Sequence, residues 1–241
     1  MLGEKVFFAT INWVLTLSLR TYGMTVKKID KIITIATPYR GSLKSVEALL
    51  PGARNFFGFE AQKAMRKASR TLPGVYQLLP TWENAVVNKH TDKAVNIFNR
   101  RVWQKNLVEK LDKIYGPEFF QTMLDDAKAF TRIVSKDYKS DIRNRFYYVY
   151  GVGSKTLRQV KVDSEKENRF DFVNAVEDEL GDGTVHKSSS NVKAEGHMKD
   201  DKKPIELGGQ HAQMPNHGSV QDYILKLFTK SKNLEYFDSK V

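Results

Sequence analysis

The residues best suited to chemistry lie late in the chain. Gly181-Asp182-Gly183-Thr184-Val185 is followed by Gly209-Gln210-His211-Ala212-Gln213-Met214-Pro215. Glycines on either side of an aspartate let the backbone turn tightly, so that the carboxylate can project from a strand end. Gly208 and Gly209 ahead of His211 permit an equally close backbone approach and an exposed ring. A carboxylate that accepts a hydrogen bond from an imidazole fixes its tautomer. It also stabilises the imidazolium formed when the ring takes a proton from a nucleophile. Asp182 and His211 therefore read as the second and third members of a Ser-Asp-His triad. The first member has no counterpart: Gly-x-Ser-x-Gly, the strained turn that presents a nucleophilic serine, occurs nowhere in the sequence. Taken singly, each motif has a plainer reading, an Asx turn around Asp182 and a surface or core histidine at His211.

The remaining histidines fit the role less well. His217 lies at a helix start where Asn216 and Ser219 read as caps, and His186 sits too near Asp182 along the chain to be its partner. His90 and His197 lie in polar stretches and read as solvated. Asp182, His186, His197 and His211 show neither His-x-x-x-His nor His-Glu-x-x-His spacing, so no metal site and no cofactor is expected. Cysteine is absent, which excludes disulfides, thiolate chemistry and cysteine zinc sites.

The elements that must position these residues alternate in type. Residues 6–19 are largely apolar after Lys5, but the run is too short to span a bilayer and has no small-x-small cleavage site. It reads as a buried helix over 11–22, preceded by a short extended segment at 5–10. Residues 31–36 form an uninterrupted β-rich run, suited to a strand covered on both faces. The periodicity then predicts helices over 45–50, 61–68, 93–115 and 118–135, punctuated by proline and glycine. Strand character returns at 145–150, and 156–162 with 169–173 reads as a hairpin. A polar, mobile link over 188–203, a short strand at 204–207 and an amphipathic helix over 219–232 complete the chain. The class is α/β. Residues 1–42 and 144–241 form the core, interrupted by a helical cap or lid insertion over 43–143.

Five motifs carry a resemblance. Asp30-Lys31-Ile32-Ile33-Thr34-Ile35-Ala36-Thr37-Pro38-Tyr39-Arg40-Gly41-Ser42 resembles the strand and turn after the nucleophile helix in the lecithin:cholesterol acyltransferase-like branch of the α/β-hydrolases. Leu72-Pro73-Gly74-Val75-Tyr76-Gln77-Leu78-Leu79-Pro80 resembles its cap motif, and Tyr148-Val149-Tyr150-Gly151-Val152-Gly153 the strand before the acid. The Asp182 and His211 motifs are similar to its acid and histidine loops, in the same order. The resemblance starts near Leu19 and implies a partial α/β-hydrolase fold: the C-terminal strands of a mostly parallel sheet with an inserted helical cap. It also implies a serine-type lipase or O-acyltransferase acting on lipid esters.

That resemblance places the nucleophile near Phe7 to Asn12, where no serine occurs; Ser18 lies mid-helix between Leu17 and Leu19. The earlier loop that completes the family's oxyanion hole has no counterpart either. The expectation is a truncated or frame-shifted reading frame and an inactive chain, with a non-catalytic lipid- or protein-binding relative as the alternative.

A net charge of +11 favours anionic partners. No zinc-finger or RNP-like pattern points to nucleic acid. Phe56, Phe57 and Phe59 followed by Lys63, Arg66, Lys67 and Arg70 suit an anionic lipid interface; alternatively the phenylalanines fill the cap and the bases face water. The expected partners are thus a lipid ester or a membrane surface. Without earlier strands, the strand at 31–36 would also offer a bare edge for self-association. The expected location is cytoplasmic, at most peripheral to a membrane.

Overall fold

Two sheets organise the chain. In the computed structural model the described residues are 6–9, 31–50, 59–134, 145–190 and 205–229; of 6–9, 59–62 and 134 only the backbone is described. The first sheet contains β1 (Val6–Ala9), β2 (Lys31–Ile35), β4 (Phe146–Val152) and β7 (Ile205–Gly208), in the order β1-β2-β4-β7. Every pairing in it is parallel, with Val6 opposite Lys31, Ile32 opposite Phe146 and Val149 opposite Ile205. From Ile32 to Ile35, β2 is buried at every residue, the signature of a strand covered on both faces. The expected bare edge on this strand is corrected: β1 pairs along it. An N-terminal strand is therefore present where the sequence suggested only a short extended segment. The helix expected at 11–22 falls outside the described residues.

The second sheet joins β3 (Val86–Asn88), β5 (Thr156–Asp163) and β6 (Arg169–Asp178), in the order β3-β5-β6. The β5–β6 hairpin is antiparallel, as the sequence suggests, and β6 runs five residues beyond the expected end at 173. Its apolar side chains do not join the first sheet. Leu157, Val160, Val162 and Phe170 share one core with Leu43, Val46, Leu49, Tyr76, Trp103, Leu107 and Phe120. Those residues come from the largely helical segment, whose described α-helices are α1 (Leu43–Leu49), α2 (Phe59–Ser69), α3 (Pro73–Gln77), α4 (Lys105–Tyr115) and α5 (Phe119–Val134). The hairpin thus packs with the cap helices, although the chain reaches it from the first sheet.

The helix expected over 93–115 exists only from Lys105 onward. Upstream, asparagine side chains divert the backbone into turns: Asn96 Oδ1 accepts from Phe98 N at 3.2 Å and Asn99 Oδ1 from Arg101 N at 3.0 Å. Such local bonds compete with helix hydrogen bonds. Ile97 and Trp103 are still buried, and the Trp103 indole donates to Ile97 O at 2.8 Å. An apolar spacing that mimics a helix is here produced by an irregular path.

The link expected to be polar and mobile starts with one buried turn, α6 (Lys187–Ser190), where Ser189 is fully buried and donates to Gly41 O at 2.6 Å. Residues 191–204 lie outside the described set. The last described helix, α7 (Gly218–Thr229), packs Val220, Tyr223, Ile224 and Leu227 against Ile33, Ile35, Val149 and Met214 of the first sheet's core.

Candidate functional site

Asp182 and His211 meet at the C-terminal ends of β4 and β7. The chain leaves β4, makes the β5–β6 excursion and returns so that Ser154 N donates to Gly181 O at 3.0 Å. It then turns sharply at Asp182. The neighbouring β7 ends at Gly208, and a 3-10 turn over His211–Asn216 starts at the histidine. His211 Nδ1 lies 2.9 Å from Asp182 Oδ2, and His211 N donates to Asp182 O at 2.9 Å. Backbone and side chain of one loop therefore hold both ends of the other.

The carboxylate is fully engaged. Its Oδ1 accepts from Thr184 N at 3.0 Å and Val185 N at 2.7 Å, so three donors converge on a side chain that is 1% exposed. Three hydrogen bonds offset the cost of burying the carboxylate. The ring, by contrast, is 36% exposed. No described residue hydrogen-bonds its second nitrogen, Nε2. An imidazole with Nδ1–H donated to a buried carboxylate and Nε2 free has the arrangement of a general base.

Glycines make this approach possible. A Cβ at position 151 would lie 2.6 Å from Asp182 Cβ and 3.3 Å from Met214 Sδ, so the glycine in β4 is the space into which the acid loop and the histidine loop pack. A Cβ at position 181 would lie 2.5 Å from Thr156 Oγ1. That hydroxyl accepts from Gly183 N at 2.8 Å and donates to Ser154 O at 2.7 Å, tying the acid loop to the start of β5. Thr156 and Met214 were not singled out from sequence. Met214 is fully buried one turn beyond His211 and anchors that loop in the sheet's core.

The other motifs close around the same loop. Ser42 caps α1 by accepting from Lys44 N at 3.2 Å, and its hydroxyl donates to Thr184 O at 2.5 Å. Gly41, at φ +79°, has Leu78 O only 2.4 Å from where a Cβ would stand, and Ser42 N donates to Leu78 O at 2.8 Å. The turn after β2, the segment around α3 and the acid loop are thus cross-linked by hydrogen bonds.

The family model of lecithin:cholesterol acyltransferase matches residues 1–180. The chain belongs to that family. The match begins at residue 1, not near Leu19 as the motifs suggested, and so includes β1; it ends just before Asp182. No curated protein matches the chain. Among solved structures, the crystal structure of the Tle4-Tli4 complex is similar, with a TM-score of 0.65 and 15% identity over 94% of this chain and 59% of that one. At that identity the likeness is one of fold. The chain spans about three fifths of that solved chain's length. Family and fold agree on a partial α/β-hydrolase architecture: a parallel sheet with helices inserted between its strands.

The other histidines of this acyltransferase-family chain lie apart from the pair. His186 is 3% exposed and bonds Asp178 Oδ1 at 3.0 Å through Nε2, while Nδ1 accepts from Ser188 N at 3.0 Å. Burial lowers its pKa, against the raising influence of Asp178. His90, expected to be merely solvated, is paired: Nε2 lies 2.9 Å from Asp163 Oδ1, and Lys89 Nζ lies 3.0 Å from Oδ2. These two bonds hold the Asp163 carboxyl down at about 2. His217 precedes α7 and accepts from Val220 N and Gln221 N through its carbonyl, so the helix is entered one residue after Asn216, and Ser219, the other expected cap, lies inside it. His197 lies outside the described residues. Among the described residues no three His, Cys, Asp or Glu side chains are grouped to hold a metal ion, and no helix is long and apolar enough to cross a membrane.

Of the candidate lipid-interface residues, Phe56 and Phe57 lie outside the described set and only the backbone of Phe59 is described. Lys63, Arg66 and Lys67 lie on α2 and line a cleft against α4.

Proposed function

We propose that Asp182 and His211 are the acid and base of a Ser-Asp-His acyl-transfer site for lipid esters. The observation that carries this reading is the 2.9 Å contact between a buried, three-fold hydrogen-bonded carboxylate and a ring whose other nitrogen has no partner among the described residues. In such a site His211 Nε2 takes the proton of the attacking hydroxyl and returns it to the leaving alkoxide. Asp182 keeps the proton on Nδ1 and stabilises the imidazolium. Water as acceptor gives a lipase and an alcohol gives an acyltransferase; both pass through the same acyl-enzyme, so the dyad serves either.

Because the sequence holds no Gly-x-Ser-x-Gly elbow, the 241-residue chain by itself has no triad-dependent turnover in this reading. Loss of a triad nucleophile removes most of the acceleration. The test is hydrolysis of a p-nitrophenyl ester by purified protein, with His211→Ala as control. The expected result is background hydrolysis equal in both. Robust turnover abolished by His211→Ala would mean that a nucleophile operates in this chain after all. The second reading, a non-catalytic lipid- or protein-binding relative, draws on the same missing elbow. It predicts that Asp182→Asn leaves ligand or partner binding intact.

A further inference from the structure

Two sets of cations in this chain differ in their surroundings. Lys44, Lys89, Arg100, Lys105, Lys161 and Lys187 each lie within ion-pair distance of a carboxylate. Lys63, Arg66, Lys67 and Arg70 from α2 and its end, with Lys110 from α4, make no ion pair among the described residues, and all five line one cleft of about 660 Å³. The same cleft is floored by Leu107 and Leu111 and flanked by Ile114 and Tyr115, the last two 54% and 39% exposed. Among the described residues no acidic one lines it. The acids of α4 are engaged elsewhere, Glu109 with Lys105 at 3.8 Å and Asp112 with Arg100 at 2.5 Å.

Arg70 is the most informative member. It is only 8% exposed, and Nε donates to Leu49 O at 2.9 Å. Its terminal guanidinium nitrogens have no hydrogen-bond partner among the described residues. Burial, and then the neighbouring charge of Arg66, disfavour the cation there. A guanidinium on a mostly buried side chain, beside four further cations with no counter-ion among the described residues, gains from an anion that reaches its outer nitrogens. The volume lies in the range of sites for small organic ligands.

We propose that this cleft binds an amphiphilic phosphate monoester: a phosphate head held by Arg70, Arg66, Lys63, Lys67 and Lys110, and an alkyl chain laid along Leu107, Leu111, Ile114 and Tyr115. A phosphate monoester carries about 1.5 to 2 negative charges near neutral pH and offers three acceptor oxygens, which suits several converging cations better than a single carboxylate does. The mixed lining accounts for both halves of such a ligand. Neither Asp182 nor His211 lines the cleft, so this site is independent of the proposed acyl-transfer chemistry. The candidate interface residues Lys63, Arg66 and Lys67 thereby face a ligand between two helices, not a flat bilayer.

Isothermal titration calorimetry with decyl phosphate below its micellar concentration tests the proposal, with inorganic phosphate and decanol as the head-only and chain-only arms. Decyl phosphate is expected to bind at least about tenfold more tightly than either. The double variant Lys63→Gln/Lys67→Gln is expected to weaken it by about tenfold or more. These side chains are exposed and make no ion pair with a described residue, so the variant's melting temperature reports independently that the fold is intact. Arg70→Gln is expected to abolish binding. Equal affinity for decanol, no measurable binding of decyl phosphate, or an unchanged affinity in the folded double variant would each overturn the proposal. A vesicle arm separates the two sources of the headgroup. Binding to phosphatidate-containing vesicles without binding of monomeric decyl phosphate would also overturn the cleft in favour of a surface contact. The readout is binding alone, so a failed ester assay leaves this result unaffected.

Discussion

The rim that carries Asp182 and His211 and the cleft between α2 and α4 treat charge in opposite ways. At the rim one carboxylate is withdrawn from water and every one of its partners is supplied from within the chain: two backbone amides and an imidazole. In the cleft five cations line one space, one of them mostly buried, and the described residues supply no counter-charge. Internal satisfaction pre-organises a group for a reaction, because no rearrangement is needed when charge develops. Leaving charge unsatisfied stores affinity for something that arrives from outside. Two sites in one chain can thus be distinguished by where their partners come from.

The largest expected effect breaks the rim. Asp182→Ala leaves the amides of Thr184 and Val185 without acceptors in a buried place. A cost on the order of 3–5 kcal/mol in unfolding free energy is expected, read by urea denaturation. Asp182→Asn should cost much less, since its amide oxygen can still accept from both amides. It should instead move the His211 ring proton from Nδ1 to Nε2, which nitrogen chemical shifts report directly. A ring proton that stays on Nδ1 in the Asn variant would break the proposed role of the carboxylate.

Gly151→Ala comes next. Its Cβ would lie 2.6 Å from Asp182 Cβ, so overpacking should cost about 1–3 kcal/mol and weaken the His211–Asp182 bond. If stability and the downfield ring N–H resonance are both unchanged, the acid loop is not clamped as the geometry implies.

A smaller effect depends on pH and belongs to the internally satisfied region. His186 has its pKa lowered by burial from the ordinary value of 6.5. The unfolded chain therefore binds the proton more readily than the folded one. The stabilisation is fully present above 6.5 and is lost as pH falls below it toward the depressed folded value. Urea midpoints measured at pH 7.5 and pH 5.5 (on either side of about 6.5) should differ more in the parent protein than in His186→Gln.

The smallest effect is expected in the cleft. Lys63→Gln/Lys67→Gln should change stability by no more than about 0.5 kcal/mol, because both side chains are exposed and neither is ion-paired to a described residue. A large loss there would mean that the cleft's charges support the fold and would erase the contrast with the rim.

Local patterns revealed the regular elements and misread the irregular ones. The β-rich run at 31–35 and the alternation in the β5–β6 hairpin were legible because a strand's burial pattern is written at period two or as a continuous apolar run. The segment before Lys105 was not, because Asn96 and Asn99 form side-chain bonds that periodicity cannot see, while Ile97 and Trp103 keep an apolar spacing. Strand β1 was only half legible: without its partner β2, four residues carry little signal. Acid and histidine were legible as residue types. Thr156 and Met214 were not, since a hydroxyl and a thioether acquire their roles only from what they touch.

What the amino-acid order by itself determined is the chemical inventory. It supplied one acid and one histidine behind flexible glycines, a +11 excess of cations, no cysteine, and no serine elbow. Those statements need no coordinates, because they concern which groups exist and in what order. Only the tertiary structure decided that Asp182 and His211, 29 residues apart, lie 2.9 Å from each other, and that five scattered cations share one cleft with no carboxylate among its described lining residues. The reason is that burial, hydrogen bonding and charge compensation depend on distance through space. Chain separation carries no information about that distance until the sheet order β1-β2-β4-β7 brings the loop ends together.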